Sequence, residues 1–356
     1  MAKLGEVCLL KAGKFVSAND ISPEYNKGLY PCFGGNGIRG YVADYTHDGE
    51  FPLIGRQGAL CGNVNLASGK FHATEHAVVV QPKIEMNVHW LYYALNAMNL
   101  GQYATGAAQP GLAVSKLETL SIEIPNISEQ NKIAQTLYKV EQLVNFRKQQ
   151  LAKLDELVKA RFVEMFGTFP ANPFRWSIGK IQDVVSDVRY GSSRPAVEGG
   201  KYPYLRMNNI TYSGELDLRD TKRIDIPDSE LDKCTVRRGD VLFNRTNSKE
   251  LVGKTCVYNR DELMVLAGFV IRVRINERIR PEVLSAFLNM DFSKRMLIGM
   301  CKTAIGQANI NAKELQNIDL YIPPIELQDQ FVTLKNKIDQ QKQTVQQSLE
   351  KLELLK

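Results

Sequence analysis

The chain has 356 residues, of which 44% are hydrophobic and 24% are charged, and its formal net charge is +6. This ordinary composition predicts a packed globular protein and excludes a disordered one. Because no run of about 18 apolar residues occurs, the sequence also excludes a membrane-spanning helix.

The cysteines and the first residues bear on the compartment. The six cysteines are scattered and form no C-x-x-C pair, which fits reduced thiols better than a disulfide framework or a zinc site. The N-terminal stretch MAKLGEVCLLKAGKF contains Glu6 and lacks a long apolar core, so it is a poor signal peptide. We therefore expect a cytoplasmic protein.

The first motif along the chain is GGNGIRG, which contains Gly35-x-Gly37-x-x-Gly40, the spacing of a dinucleotide-binding loop. A true fingerprint needs a helix that opens on the loop and an acidic residue about 20 positions further on. The residues after Gly40 instead read as strand, turn and strand, and Glu50 follows only ten residues later. The pattern favours a tight glycine turn between strands; tight NAD binding would support the alternative, a nucleotide-dependent enzyme.

The second motif is HATEH, from His72 to His76, which matches the H-x-x-E-H pattern of some metalloproteases. That chemistry needs both histidines on one face of a helix, whereas the run AVVVQP that follows favours a strand. His47 and His89 suggest no catalytic triad, and the chain has no G-x-S-x-G elbow, Walker P-loop, or NPPY or DPPY tetrapeptide. These absences predict a non-catalytic protein without a metal or cofactor.

An internal repeat is the strongest feature of the sequence. Residues 109–133, QPGLAVSKLETLSIEIPNISEQNKI, align without gaps with residues 307–331, QANINAKELQNIDLYIPPIELQDQF, at an offset of 198. Gln130 meets Gln328 in this alignment. The preceding segments correspond more loosely, with FPLIGRQG resembling DVLFNRTN. A repeat of this kind predicts one structural unit used twice.

A long helical pattern follows each repeated stretch, over about residues 127–166 and 326–356. The apolar residues recur at heptad a and d positions, the pattern of a coiled coil. A helix of about 40 residues greatly exceeds the ordinary length of about 11 and extends roughly 60 Å, against roughly 45 Å for the second. We expect an intramolecular antiparallel pair with Arg147, Lys335 and Lys342 at polar seam positions and an apolar seam of Ile133, Leu137, Val140, Val144, Leu151, Leu154, Val158, Phe331, Ile338, Val345, Leu349 and Leu352.

Each long helix is preceded by a segment rich in short β-branched runs, such as HAVVVQP and FVIRVRI, that Gly, Asn and Asp interrupt. Short helical patterns such as VHWLYYALNAM and PEVLSAFLNM lie near the end of each segment. We therefore predict an α+β chain with two similar, mostly β modules. Module 1 is expected at residues 1–125, the first long helix at 126–166, module 2 at 167–322, and the second long helix at 323–356.

The charge is unevenly distributed between the modules. Module 1 carries 9 basic and 10 acidic residues, a net charge of −1, whereas module 2 carries 24 and 19, a net charge of +5. A modest basic excess is compatible with a polyanionic partner.

This layout resembles the specificity (S) subunit of bacterial Type I restriction-modification systems over essentially the whole chain. The stretches that carry the resemblance are YPCFGGNGIRGYV and LIGRQGALCGNV in module 1, IEIPNISEQNKIA and LYIPPIELQDQF at the helix starts, and MFGTFPANPFRWSIGKIQDV at the linker. The resemblance implies two target-recognition domains, each reading half of a split double-stranded DNA sequence. It also implies a coiled-coil spacer that docks two methyltransferase subunits, through which restriction subunits join, and a subunit that catalyses nothing itself.

Reading DNA requires groups for phosphates and groups for base edges. Arg reads guanine through paired hydrogen bonds, and Asn or Gln reads adenine. Arg56 and Arg245 are the strongest candidates because they recur at corresponding places after apolar strands. The full set of candidates is Asn36, Arg39, Arg56, Gln57 and Lys70 in module 1, with Arg194, Arg206, Asn208, Asn209, Arg245, Asn247, Lys249 and Lys254 in module 2.

Other points stay open at the level of sequence. Gln109 and Gln307 correspond but lie beside the helix starts, so we assign them structural or subunit-docking roles. The lysines at positions 335 and 342 weaken the second seam, which leaves the length of the paired coil and the half-site spacing undecided. The alternative function is a structural adaptor that tethers partners without reading DNA. The target bases do not follow from the sequence.

Overall fold

The structure, a computed structural model, describes residues 1–106, 110–304 and 307–355. The chain divides into two compact units, one of residues 1–145 and 352–356 and the other of residues 146–351. Gln109 lies outside the described residues. Among the helices in the described ranges, none is both long and apolar enough to cross a membrane.

Module 1 is built mainly from short strands. Its helices are α1 (Leu4–Val7), α2 (Val88–Ala97) and α3 (Val114–Glu118), and 3₁₀ turns lie at Ala18–Asp20 and Leu100–Tyr103. Its strands are β1 (Ala2–Lys3), β2 (Cys8–Ala12), β3 (Tyr30–Gly34), β4 (Gly37–Val42), β5 (His47–Asp48), β6 (Phe51–Gly55), β7 (Val64–Ala67), β8 (Lys70–Ala73), β9 (Ala77–Pro82) and β10 (Ser121–Ile122).

Two four-stranded sheets form the body of module 1, in the orders β2-β9-β6-β7 and β4-β3-β8-β5. The central strand β9 reads as an unbroken apolar run because both of its faces are covered. Val78 and Val80 pack with Leu91 of α2. Val79 packs on the opposite side with Phe71 of the second sheet. The core therefore has a helix layer, a sheet, and a second sheet.

Module 2 contains the same kinds of element. Its helices are α5 (Asp228–Cys234), α6 (Pro281–Asn289), α7 (Asp291–Met300) and α8 (Ala312–Gln316), and 3₁₀ turns lie at Ile181–Val184 and Met207–Asn209. Its strands are β11 (Ser177–Lys180), β12 (Val185–Tyr190), β13 (Tyr202–Leu205), β14 (Lys222–Ile224), β15 (Thr235–Val236), β16 (Val241–Asn244), β17 (Thr246–Asn247), β18 (Thr255–Val257), β19 (Met264–Leu266), β20 (Val270–Ile275), β21 (Lys302–Ala304), β22 (Gln307–Asn309) and β23 (Asp319–Ile322).

The sheets of module 2 repeat those of module 1. Their orders are β12-β20-β16-β18 and β14-β13-β19-β15, and β13 and β19 run parallel as β3 and β8 do. Individual hydrogen bonds recur as well. The amide of Leu4 donates to Leu120 O at 2.8 Å, and that of Ile181 donates to Ile318 O at 2.9 Å. The predicted internal repeat is thus present in the fold.

Both early motifs lie on strands. GGNGIRG forms the end of β3, a turn and the start of β4, and the antiparallel hairpin turns at Gly37, whose φ is +97°. This is the predicted glycine turn, with no helix opening on it. His72 lies on β8 and His76 lies in the turn before β9, so the helical spacing that HATEH requires is not formed. Within the described residues, no cluster of His, Cys, Asp or Glu could hold a metal ion.

The two long helices are α4 (Ile127–Phe166) and α9 (Ile325–Glu353). Within residues 146–351 they pack antiparallel. The ring of Phe331, near the start of α9, lies 5.5 Å from Phe162 and 5.4 Å from Phe166, near the end of α4. Further along α9, Lys342 forms an ion pair with Asp155. The predicted antiparallel packing of the two helices is therefore confirmed.

The burial of residues along the two helices matches the predicted seam. Off-seam apolar residues such as Phe146 and Tyr138 are exposed, which is the contrast that a heptad predicts. The fully buried seam residues are Val144, Phe331, Ile338, Val345 and Leu349, and the half-buried ones are Ile133, Leu137, Val140, Leu151, Leu154, Val158 and Leu352.

A buried glutamine fastens module 1 to α4. Gln130 Oε1 accepts a hydrogen bond of 2.9 Å from the amide of Asn87, the residue that caps the N-terminus of α2. Gln130 Nε2 donates to Pro125 O at 2.8 Å. A helix cannot satisfy its own first amides, so the amide of Asn87 needs a partner from outside α2. The buried side chain of Gln130 supplies that partner.

The matching glutamine of α9 makes the same contacts in module 2. Gln328 Oε1 accepts from the amide of Arg280, the cap of α6, at 2.8 Å. Its Nε2 donates to Pro323 O at 2.9 Å and to Arg278 O at 3.0 Å. The gapless alignment of Gln130 with Gln328 therefore corresponds to a repeated three-dimensional joint.

Replacing Gln328 by alanine is expected to destabilise the unit of residues 146–351 by about 2–3 kcal/mol, because a buried amide and two carbonyls lose their partner. Gln340→Ala, at an exposed position of the same helix, is the matched control. Urea unfolding followed by circular dichroism measures both. Equal midpoints for the two variants would contradict the joint.

Candidate nucleic-acid interface

Arg56 follows β6 directly and is held by its backbone. Its amide donates to His76 O at 3.0 Å, and its carbonyl accepts from the amide of Leu112 at 2.9 Å. The side chain is half-buried. Its Nε is buried without a hydrogen-bond partner among the described residues. These backbone bonds therefore fix the place on module 1 from which the guanidinium, a group with five N–H donors, extends.

Arg245 occupies the equivalent place after β16. Its amide donates to Phe269 O at 3.0 Å, and its carbonyl accepts from the amide of Ile310 at 2.9 Å, which repeats the pattern around Arg56. Its guanidinium lies 4.9 Å above the ring of Tyr190, and its Nη2 donates to Asn309 Oδ1 at 3.0 Å. The stacking and the hydrogen bond orient the guanidinium of Arg245 without the need for a ligand.

The glycine-rich turn of module 1 borders an open cleft of about 570 Å³. The cleft brings together the predicted residues Asn36, Arg39 and Gln57, all of which are exposed. Asn36 Oδ1 accepts a hydrogen bond of 2.9 Å from Asn63 Nδ2, which orients the amide. His76 also lines the cleft; sequence reasoning missed it because it considered that histidine only as a metal ligand.

Glycines are among the residues that line this cleft, and one of them, Gly35, lies against Gly55. A Cβ atom on Gly55 would lie only 1.9 Å from Gly35 O, so the two backbones pass closer than any side chain permits. Such a bare backbone also lets an external ligand approach closely.

Lys70 lies apart from the residues that line the cleft. It begins β8 and is exposed, and its Nζ lies 4.6 Å from the centre of the Tyr45 ring. The interaction with Tyr45 raises the pKa of Lys70. The lysine is therefore a positive charge at the surface, in a form suited to a phosphate.

Two predicted arginines of module 2 already have carboxylate partners. Arg194 makes hydrogen bonds of 2.7 and 3.2 Å to Glu230, and this contact lowers the pKa of the carboxyl. Arg206 donates to Asp220 Oδ2 at 3.0 Å. A polyanion that binds either guanidinium therefore competes with these carboxylates.

The remaining predicted residues of module 2 differ in exposure. Asn208 and Lys249 are exposed, and Asn247 is half-buried, with its Oδ1 accepting from the amide of Ser248. Asn209 is buried, and its Oδ1 accepts from the amide of Arg206 at 2.9 Å. Asn209 has no surface for a base to contact, so its predicted DNA contact is replaced by a structural role.

Lys254 is also buried. Its Nζ donates to Ile210 O at 2.5 Å and to Met207 O at 3.0 Å, and burial lowers its pKa. The ammonium thus fastens the 3₁₀ turn that carries Asn208. Its predicted DNA contact is incompatible with this placement, since the charge is directed into the module. Residue type alone gave no signal for this.

A half-buried lysine, Lys294, lies near Lys254. Its Nζ donates to Gly253 O at 2.6 Å. Burial, together with the charges of Lys159 and Lys254, lowers its pKa from 10.5 to about 8. From pH 8 to pH 10.5 the unfolded chain therefore holds a proton that the folded chain has released, so this lysine makes stability rise with pH.

We expect the difference in unfolding free energy between wild type and Lys294→Met to shift in favour of wild type as pH rises from 8 to 10. Urea titrations at fixed pH values measure it. Lys249→Met, at an exposed position, is the control and should show a constant difference. A pH-independent difference for Lys294→Met would show that its ammonium is not buried in solution.

The comparisons with known proteins agree with this architecture. The family model of the Type I restriction modification DNA specificity domain matches residues 1–156 and 175–354. The chain therefore belongs to that family.

Named relatives include two specificity subunits. The chain is 53% identical over 143 residues, 40% of its length, to the Type I restriction enzyme EcoprrI specificity subunit of Escherichia coli, of which this covers 36%. It is 22% identical over 260 residues, 68% of its length, to the EcoKI specificity subunit of Escherichia coli (strain K12), of which this covers 56%. The match thus spans between about a third and just over half of these relatives.

Solved structures share the fold. The Type-I restriction-modification system S subunit from M. genitalium has a TM-score of 0.60 at 17% identity, covering 99% of this chain and 92% of that one. A chain from a study of complex assembly and conformational transition of the type I R-M system has a TM-score of 0.57 at 17% identity, covering 99% and 94%.

Proposed function

We propose that this chain is the non-catalytic specificity subunit of a Type I restriction-modification complex and reads a bipartite double-stranded DNA target. Module 1 reads one half-site and module 2 reads the other. The protein acts in the cytoplasm, and it needs no cofactor because methylation and cleavage belong to partner subunits. Family membership and the doubled fold support this function over a simple tether.

The observation that carries the proposal is the matched setting of Arg56 and Arg245. Each arginine follows the same strand of its sheet, and each has the same pair of backbone hydrogen bonds. Two recognition domains with the same fold are expected to carry a fixed arginine at equivalent places. An arginine that makes two hydrogen bonds to one base identifies guanine.

The other exposed candidates divide by chemistry. Asn36, Arg39 and Gln57 line one cleft and can reach base edges there, while its bare glycines let a phosphate approach the backbone. Lys70 and Lys249 are suited to phosphates. In module 2, the exposed Asn208 and the half-buried Asn247 are the amides placed for base edges, and Arg194 and Arg206 contact DNA after exchanging their carboxylate partners for phosphates.

The partners are two methyltransferase subunits and, through them, restriction subunits. The long helices present exposed apolar side chains away from the seam, such as Leu143 on α4, and these are the kind of surface that a subunit can cover. We propose 1–125 and 167–322 as the recognition domains, with 126–166 and 323–356 as the spacer. Gln307 is assigned to structure or docking.

Arg56→Ala and Arg245→Ala are expected to relax recognition in one half-site each, by about 1–3 kcal/mol of discrimination per base pair. The measurement is methylation of a DNA panel by the complex reconstituted with methyltransferase subunits. The controls are Lys27→Ala and Arg238→Ala, which change exposed charges outside the candidate set. Unchanged DNA binding by both arginine variants would favour the adaptor function instead.

Exchanging residues 1–125 for those of a relative is expected to change only one half-site, because each module has its own core and its own arginine. Sequencing the methylated products of the chimaeric complex measures this. A change in both half-sites, or in neither, would contradict the modular account and the proposed boundaries.

A further inference from the structure

Lys342 joins three elements of the unit formed by residues 146–351. It lies on α9 at a seam position, and its Nζ contacts Asp155 of α4 and Glu215 of module 2. The lysine side chain is only 12% exposed. One buried charge therefore links both long helices and the recognition module.

Glu215 is held in place by hydrogen bonds within its own turn, independently of its contact with Lys342. Its amide donates to Thr211 Oγ1 at 2.9 Å, and the amide of Thr211 donates to Glu215 O at 2.9 Å. The turn rests on α6, since a Cβ on Gly214 would lie 2.4 Å from Asn289 Nδ2. The Glu215 carboxylate is therefore held in a fixed place on module 2. Its ion pair with Lys342 connects that place to the two long helices.

The link is not part of the internal repeat. At the equivalent seam position α4 has Val144, which is buried. Near that position module 1 contacts α4 through a hydrogen bond of 3.1 Å from Tyr93 Oη to Glu141 Oε2. An apolar residue at position 342 would pack the seam as well or better, because burying the lysine ammonium carries a desolvation cost. A lysine at a seam position does, however, fix register and orientation.

A neighbouring lysine provides the contrast. Lys335, one heptad earlier on the same helix, pairs with Asp339 at 2.6 Å within α9. It has the same residue type and a comparable seam position, but this ion pair stays on its own helix.

From these contacts we propose that Lys342 is a positioning residue that fixes the direction in which module 2 leaves the helix pair. By doing so, it determines which separation between the two half-sites the complex accepts. This inference rests on the proposed function, since it assumes two half-sites read by two modules.

The test compares Lys342→Met and Glu215→Gln with the matched control Lys335→Met. Complexes reconstituted with methyltransferase subunits methylate duplexes whose half-sites are separated by the native number of base pairs, or by one more or one fewer. We expect Lys342→Met to keep both half-site sequences but to lose about tenfold of its preference for the native separation. Glu215→Gln should show the same loss, and Lys335→Met should keep the wild-type preference.

Hydrogen exchange of the isolated chain gives a readout that does not depend on DNA. The amides of residues 211–215 should exchange at least fivefold faster in Lys342→Met and Glu215→Gln than in wild type. Their exchange rates should be unchanged in Lys335→Met. A wild-type separation preference in both variants, or loss of half-site sequence recognition itself, would overturn the proposal. A wild-type complex with no bipartite target at all would instead refute the proposed function.

Discussion

The joint between module and helix is the constraint on which the rest of the structure depends. A buried glutamine, Gln130 in one case and Gln328 in the other, accepts from the capping amide of the module's helix and donates to the carbonyl of a proline before the long helix. A buried amide side chain tolerates little displacement, because each lost partner costs free energy. Each module is therefore fixed to a long helix, which is the property that the proposed function requires of a recognition domain on a spacer.

In the proposed function, the doubled fold gives each of two recognition domains such a joint. Sheet orders, the parallel strand pair and the hydrogen bonds around Arg56 and Arg245 recur in both modules. The side chains around the two arginines differ, however, since Arg245 stacks on Tyr190 and bonds Asn309. Under the proposed function, one scaffold with different surroundings for the same arginine is a physical basis for reading two different half-sites.

The long helices and the repeated joint could be predicted from the sequence because both leave a periodic or repeated pattern in it. Heptad spacing located both long helices and their seam, and the gapless alignment located the repeated joint. The glycine turn followed from the missing helix after Gly40. The fate of individual polar side chains did not follow, since burial depends on tertiary contacts. Asn209 and Lys254 have the residue types of a DNA-binding surface but satisfy the backbone of a turn inside module 2. Lys342 was predicted to weaken the seam, and nothing in the sequence indicated that it would also form an ion pair between the helices.

The central claim is that two modules on one chain direct methylation to a split DNA sequence. Methylome sequencing of the host with and without this gene tests it most directly. The account predicts that deletion removes methylation at one motif made of two specified half-sites separated by a fixed number of unspecified base pairs. Loss of a single uninterrupted motif, or an unchanged methylome in a host whose methyltransferase subunits are expressed, would contradict it.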